Sequence, residues 1–356
     1  MTRALLLIVS VSAACAQEAG SGFELRATVT GEGFYAQALT QAPRDGDSMS
    51  GGARGMLYPV WKWNQHWSVE GTVQVHSRPY FPSEFSTQGY GVKADILQAH
   101  VNYTRFWKDA SLTVRAGELS TAFGSFLLRY DDMQNPLLDM PVSYGYYSGT
   151  TVLGLAGAQV DASVHKLDFR AQFVNSSPAN RRSIFDGDQY GNWAGGIGYT
   201  IRQGFRVGAS MYRGPYLDRH YRFFFPGEAK PSDLDATAVG IDVSWGRGPW
   251  NVYGEWQRFQ MNYKLIPTFH EQVGYGEVRR VLSPRWYVAE RISYVRASAF
   301  PGYQVYETAI GYRPSAQQLV KLGYEAEQGP GIQGMQNNVL AIQFVTAFRP
   351  FSFGRN

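Results

Sequence analysis

The chain has 356 residues, with 33 lysines and arginines against 29 aspartates and glutamates, a formal net charge of +4. That balance is far from the strongly basic profile of a nucleic-acid binder. Its one cysteine, Cys15, excludes an internal disulfide framework and a thiolate-built metal site.

The chain opens with MTRALLLIVSVSAACAQ. Arg3 precedes an apolar run from Ala4 to Ala14, and the small residues Ala14 and Ala16 flank Cys15. This pattern predicts a secretory signal peptide over residues 1–16, cleaved before Gln17. The run is too short for a transmembrane helix, which takes about 20 apolar residues. Lipidation of Cys15 is a rival, but Ser12 sits where such signals carry a larger aliphatic residue. The remaining chain, residues 17–356, is aromatic-rich (15% of all residues) and abundant in glycine. An exported chain of this kind fits a membrane β-barrel, whose alternation hides its hydrophobicity from an averaging scale.

Period-2 alternation recurs along the chain and predicts strands. Trp67, Val69, Gly71, Val73 and Val75 share one face, opposed by Ser68, Glu70, Thr72, Gln74 and His76. Further on, Leu97, Ala99, Val101 and Tyr103 oppose Gln98, His100, Asn102 and Thr104. The same pattern runs through 166–173, 205–212, 239–245, 250–257 and the final VLAIQFVTAFRPF, and is weakest at Gly51–Lys62 and Trp286–Val295. Short connections (near Trp63–His66, Trp107–Ala110, Ala162–His165, Arg202–Gly204, Gly246–Pro249, Ser283–Arg285 and Pro314–Gln318) alternate with longer ones. Short periplasmic turns alternating with long outer loops imply an all-β, transmembrane, antiparallel up-and-down barrel of about 16 strands, both termini on the short-turn side. Such a barrel is too wide for side chains to fill, so it encloses an aqueous lumen.

The longest connection is Leu119–Thr150, the third of the long ones. It carries Phe123, Phe126, Leu127, Leu128, Tyr130, Leu137, Leu138 and Met140, which need a surface to pack on. The inner wall is the nearest one, so the loop is expected to fold inward and narrow the pore. Arg129, Asp131, Asp132 and Asp139 would then stand at the constriction. Arginines from the set Arg26, Arg54, Arg115, Arg170 and Arg206 would face them, setting a transverse field that filters solutes by charge. Glu70, His76, His100 and Glu255 join these arginines as inward-facing, pore-lining positions.

Three stretches, RAGELSTAFGSFLLRYDD, NPLLDMP and the hairpin VLSPRWYVAERISY, resemble segments of Gram-negative outer-membrane porins, in style the group that holds the phosphate-selective channels. The resemblance implies a homotrimer of wide barrels in the cell outer membrane, each with an inward third loop. The final segment also resembles the C-terminal assembly signal of such proteins, but the chain ends at Asn356 and not at an aromatic residue.

No chemistry is demanded elsewhere. His76 and His100 read as polar lumen residues, since a metal site needs more ligands, and no cofactor is implied. No Gly-x-Ser-x-Gly elbow is present, and Asp218 with His220 has no spacing that calls for catalysis. RHYRFFFPGEAKP, with Phe223–Phe225, reads as a loop anchor in the mouth, a contact with a neighbouring protomer or a ligand-binding patch. The expectation is a porin with lipid as its surroundings, passing small hydrophilic solutes passively with a mild preference for anions. A substrate-specific barrel transporter and, less in keeping with the residues, a barrel lipase or protease are the rival readings.

Overall fold

The computed structural model describes residues 21–37, 48–81, 91–144, 149–152, 154–175, 190–216, 234–263, 267–298, 302–329 and 338–354. The expected signal peptide and Phe223–Phe225 lie outside these residues. Sixteen strands follow in chain order: β1 (Gly22–Ala36), β2 (Met49–Lys62), β3 (Trp67–Arg78), β4 (Gly91–Phe106), β5 (Ala110–Leu119), β6 (Leu155–Val164), β7 (Leu167–Val174), β8 (Asn192–Arg202), β9 (Phe205–Pro215), β10 (Asp235–Arg247), β11 (Trp250–Met261), β12 (Phe269–Val281), β13 (Trp286–Ala297), β14 (Tyr303–Ser315), β15 (Gln318–Gln328) and β16 (Asn338–Gly354). Each pairs antiparallel with its neighbours in sequence, and β1 closes the sheet on β16. Closure leaves no edge N–H or C=O without a partner, the condition for a sheet in lipid. The two weakest sequence windows are β2 and β13, and their registers run without a break against β1 and β12.

Exposure follows the sequence alternation. On β7, Leu167, Phe169 and Phe173 are exposed while Gln172 is buried. On β16, Leu340, Ile342, Phe344 and Phe348 are exposed while Ala341, Gln343 and Val345 are buried. Aromatic rings gather at the short-turn ends. Trp67 packs on Tyr103 at 5.1 Å, Trp286 on Tyr312 at 4.6 Å, and the Arg280 guanidinium lies 5.0 Å from the Trp250 ring. Such rings suit a membrane–water boundary. Among the described residues no helix is long and apolar enough to cross a membrane.

One face assignment is corrected. Leu97 was expected on the outward face with Ala99 and Val101. A register shift in the β3–β4 pairing skips it, Thr72 facing Gln98 and Val73 facing Ile96. The extra residue inverts the alternation. Ile96 is therefore exposed, and Leu97 points inward and is 4% exposed.

Gly117, near the end of β5, has φ +134°, and a Cβ there would overlap the Ala99 carbonyl on β4. Glycine lets the strand hold this left-handed backbone and press against its neighbour. Just beyond it the chain leaves the wall.

Candidate functional site

The segment between β5 and β6 folds into the barrel and touches inward residues from almost all round the wall. It first follows β7–β11. The Ala122 amide donates to Gln172 Oε1 (3.1 Å), and the Gly124 amide donates to Ser210 Oγ (3.3 Å). Phe123, fully buried, packs edge-on against Phe259 at 5.4 Å. Glu255 on β11 then takes hold. Its carboxylate accepts from the Ser125 amide (3.2 Å), Ser125 Oγ (3.1 Å), Tyr144 OH (2.7 Å) and Gln257 Nε2 (2.6 Å). Gly124 has φ +83°, and a Cβ there would strike the Tyr144 hydroxyl and this carboxylate.

A 3-10 turn, Phe126–Arg129, follows. Arg129 stacks 3.7 Å from the Tyr253 ring centre, donates to the Glu277 carboxylate and reaches Tyr275 OH at 3.2 Å. The chain next crosses to the opposite wall. Asp132, 2% exposed, accepts from Arg54 Nη1 (2.7 Å), Thr30 Oγ1 (2.7 Å) and Tyr80 OH (3.1 Å). Arg54 also donates to Gln74 Oε1 through Nε (3.0 Å) and Nη2 (2.8 Å), and lies 4.3 Å from the Tyr130 ring centre. Asp131 accepts from Tyr58 OH and, at 2.8 Å, from the Met133 amide.

The return half docks on β13–β16. Lys321, fully buried, donates to the carbonyls of Asp132 (3.2 Å), Asn135 (3.4 Å) and Leu137 (2.7 Å). It caps a turn whose inward carbonyls would otherwise be unpaired. Arg291 bridges Glu277 (3.4 Å) and Glu307 (2.6 Å) and donates to the Asp139 carbonyl at 2.5 Å. Leu137 seals this half against Tyr287, Ala289, Ala309 and Leu319.

Apolar side chains continue across the lumen. Met56 from β2 and Leu97 from β4 share one buried cluster with Phe81, Phe126, Tyr130, Tyr144 and, from β12, Tyr275. The loop thus forms a partition from wall to wall. Leu128 is the exception among its large apolar residues and is 73% exposed.

The sequence-predicted residues fall into two groups. Arg129, Asp131, Asp132 and Asp139 meet the wall through the loop, and of the five candidate arginines Arg54 alone joins them. Arg26 instead lies 3.5 Å from Glu24 beside the β1–β16 seam, and Arg115 lies 3.5 Å from Asp161. Arg206 pairs with Asp168 (2.7 Å) and Asp242 (2.6 Å). It reaches both because inward Gly198 and Gly208 leave room for its guanidinium. Arg170, opposite Asp161 in the β6–β7 register, forms no ion pair among the described residues. Arg54, His76 and Glu255 point inward but lie beneath loops, so they do not border open water. His76 packs on Tyr80 and Phe81 at 6.1 and 5.3 Å. His100 is also buried, its Nδ1 2.7 Å from Asn102 Oδ1, and Glu70 is half-buried and accepts from Ser68 Oγ at 3.1 Å. Glu277, Arg291, Glu307 and Lys321 were not anticipated. Their signal is a charged residue on the inward parity of an otherwise apolar strand, as in LVKLGY and ERISY.

The two loop carboxyls shift in opposite directions, although burial raises both. Burial would raise Asp132, but the Arg54 charge, then Lys321 and the bonds from Thr30 and Tyr80, hold it below the usual aspartate value. For Asp139 burial, then the neighbouring Glu307, outweigh the opposing pull of the Met140 amide and of Arg291, and push it up to about 7. Among the described residues no group of three or more histidine, cysteine or acidic side chains is placed to hold a metal ion.

No protein-family model and no curated protein sequence matches the chain. Solved structures do. The outer membrane channel DcaP of Acinetobacter baumannii aligns with 93% of this chain and 98% of its own, at TM-score 0.63 and 12% identity. An anion-selective porin from Comamonas acidovorans aligns with 92% of this chain and all of its own, at TM-score 0.61 and 9% identity. The in-vitro folded OmpT of Vibrio cholerae, an outer membrane protein in its trimer form, aligns with 93% of this chain and all of its own, at TM-score 0.55 and 9% identity. At these identities the likeness is one of fold: a closed antiparallel barrel of sixteen strands.

Proposed function

We propose that the chain is a porin of a Gram-negative outer membrane. It passes small hydrophilic solutes by passive diffusion, acts as a homotrimer, and needs no cofactor and no bond chemistry. The observation that carries this reading is the wide barrel, apolar outside and polar inside, crossed by a loop that both walls hold. Solutes take the part of the lumen the loop leaves, beside the β3–β10 wall that carries Glu70, Arg115, Asp161, Arg170 and the Arg206 pairs. Three arginines there meet four carboxylates (Glu70, Asp161, Asp168 and Asp242), so the charge count gives no anion preference by itself, and a slight one rests on Arg170, which forms no ion pair among the described residues. The resemblance of its segments to the porin group that holds the phosphate-selective channels supports kinship with that group. The inner cations Arg54, Arg129, Arg291 and Lys321 hold the loop and are not free to form an anion ladder.

Single-channel recording in planar bilayers, with and without residues 123–141, tests the proposal. Conductance should rise on deletion, while the unheated protein keeps the gel mobility of a folded barrel. Unchanged conductance overturns the constriction. Under a salt gradient, a reversal potential showing cation preference, or one unmoved by Arg170→Glu, removes the anion reading.

A second reading is favoured by the buried cluster that runs from Met56 and Leu97 to Tyr275. A partition so well packed suits a narrow, substrate-specific channel. That reading predicts small currents that saturate with one solute class, in place of currents proportional to salt.

A further inference from the structure

The outward side of β11–β13 departs from the apolar pattern near the long-loop end. Arg258 lies opposite Gln272 in the β11–β12 register, and Gln272 lies opposite Arg296 in the β12–β13 register. The three form one row across three strands. Both arginines are exposed and Gln272 is half-buried. None of the three side chains forms a hydrogen bond or ion pair among the described residues. The next row holds Gln260 opposite His270, whose Nδ1 also has no partner. Among the described residues no carboxylate faces outward in these two rows; Asp235, on the neighbouring β10, lies beside Asn262. Glu271 points inward and is buried, and Glu290 lies six positions lower on β13, about 20 Å along the strand. By contrast Arg213 on β9, another outward cation near this rim, is answered by Asp235 at 3.4 Å.

Depth decides what the row meets. Arg296 lies ten positions along β13 from Trp286, and Arg258 eight along β11 from Trp250. At about 3.3 Å per residue and a tilt near 40°, these are about 25 and 20 Å above the lower aromatic girdle. The apolar band of such barrels is about 25 Å tall. The guanidiniums therefore sit where outer-leaflet hydrocarbon gives way to headgroups. Two strand spacings, about 10 Å, separate their backbones, a gap that two long side chains close around a tetrahedral anion, with the Gln272 amide as a further donor. Guanidinium suits phosphate because its planar fork donates two parallel bonds.

The geometry points to a binding site for the phosphate of an outer-leaflet lipid headgroup, a phosphorylated glycolipid, at Arg258, Gln272 and Arg296. The inference rests on the barrel being membrane-spanning and goes beyond solute passage. It makes this side of the barrel a lipid-facing side.

The test uses the full-length protein purified in mild detergent and mixed with phosphatidylcholine vesicles carrying a bisphosphorylated glycolipid or its dephosphorylated form. Bound lipid is read by native mass spectrometry. Wild type should retain the phosphorylated lipid and not the dephosphorylated one. Each arginine near an anionic lipid surface is worth about fivefold in affinity, so Arg258→Ala with Arg296→Ala should lower retention about thirtyfold. Equal retention by the double variant, or equal retention of the dephosphorylated lipid, overturns the site. Displacement by inorganic phosphate at low concentration would mean a free-anion site and also overturns it. So does a change of oligomeric state in the lipid-free double variant, which would make this face a contact between copies. Loss of the folded gel mobility in wild type would instead defeat the membrane-barrel reading, and the two failures are thereby told apart. Arg258→Lys with Arg296→Lys, which keeps both charges but not the fork, controls for folding and should retain more of the lipid than the double alanine variant and less than wild type.

Discussion

Replacing Arg54 by alanine should release the middle of the inward loop while leaving the barrel closed. The side chains of Arg54 and Asp132 are 1% and 3% exposed and meet at 2.7 Å. Arg54 also supplies two bonds to Gln74 and stacks on Tyr130. Removing one partner of a buried ion pair costs about 3–5 kcal/mol, because the other charge stays buried without its counter-ion. Asp132 would keep its bonds from Thr30 and Tyr80, which places the cost near the low end, about 3 kcal/mol. At about 1.4 kcal/mol per decade, the ratio of docked to released loop falls about a hundredfold. None of the strand-to-strand pairing passes through this contact, so the gel mobility of the unheated protein should not change. Bilayer recordings should show higher and noisier open currents, and limited proteolysis should cut within 123–141 where wild type resists. The double replacement Arg54→Met with Asp132→Leu removes both charges and fills the space, so it should recover most of the loss. Arg54→Ala channels as quiet and as protease-resistant as wild type would refute the reasoning. So would a double variant as disturbed as the single one.

Lys321→Met strips three loop carbonyls of their donor and should loosen residues 132–137 by about 3 kcal/mol, seen as faster amide hydrogen exchange there. Gly124→Ala forces a Cβ into the Tyr144 hydroxyl and the Glu255 carboxylate from a left-handed backbone. It should cost about 2 kcal/mol or more of loop docking, read by the same proteolysis. Asp139 keeps its proton in the docked loop up to about 7, whereas a released aspartate ionises near 3.8. The docked loop therefore binds more protons across that window, and docking weakens as pH rises from about 4 to about 7 and then levels off. Current noise should grow over that range, and Asp139→Asn should flatten the trend.

The barrel was legible because alternation is a local property. Inward and outward parity, turn positions and strand number all follow from windows of a few residues, and even β2 and β13 were caught. Leu97 shows where parity stops: one bulged residue inverts the assignment, and no composition signal marks it. The inward loop was legible from its apolar residues, which had no other surface to cover. Its partners were not. Parity says that Arg26, Arg54, Arg115, Arg170 and Arg206 face inward, but the path of the loop decides that Arg54 meets Asp132 while Arg206 turns to Asp168 and Asp242. Lys321 and Arg291 were missed for the same reason, since each acts on carbonyls or carboxylates far away in sequence. Asp132, expected at the constriction opposite an arginine, does meet Arg54, but the Arg54, Thr30 and Tyr80 donors enclose it.

The wall-to-wall loop has a mechanical consequence. A barrel filled with water lacks a packed centre, so its hydrogen-bonded hoop alone resists flattening toward an ellipse. Here Thr30, Arg54 and, two strands away from β1, Lys321 on one side, and Glu255 on the other, grip a single tie-rod that fixes the distance between them. Cutting residues 123–141 would therefore do more than enlarge the hole. It would let the hoop change its eccentricity, and the conductance gained would reflect a new outline as well as a missing obstacle. Heat resistance should fall together with that gain, since the same contacts that narrow the path also hold the hoop in shape.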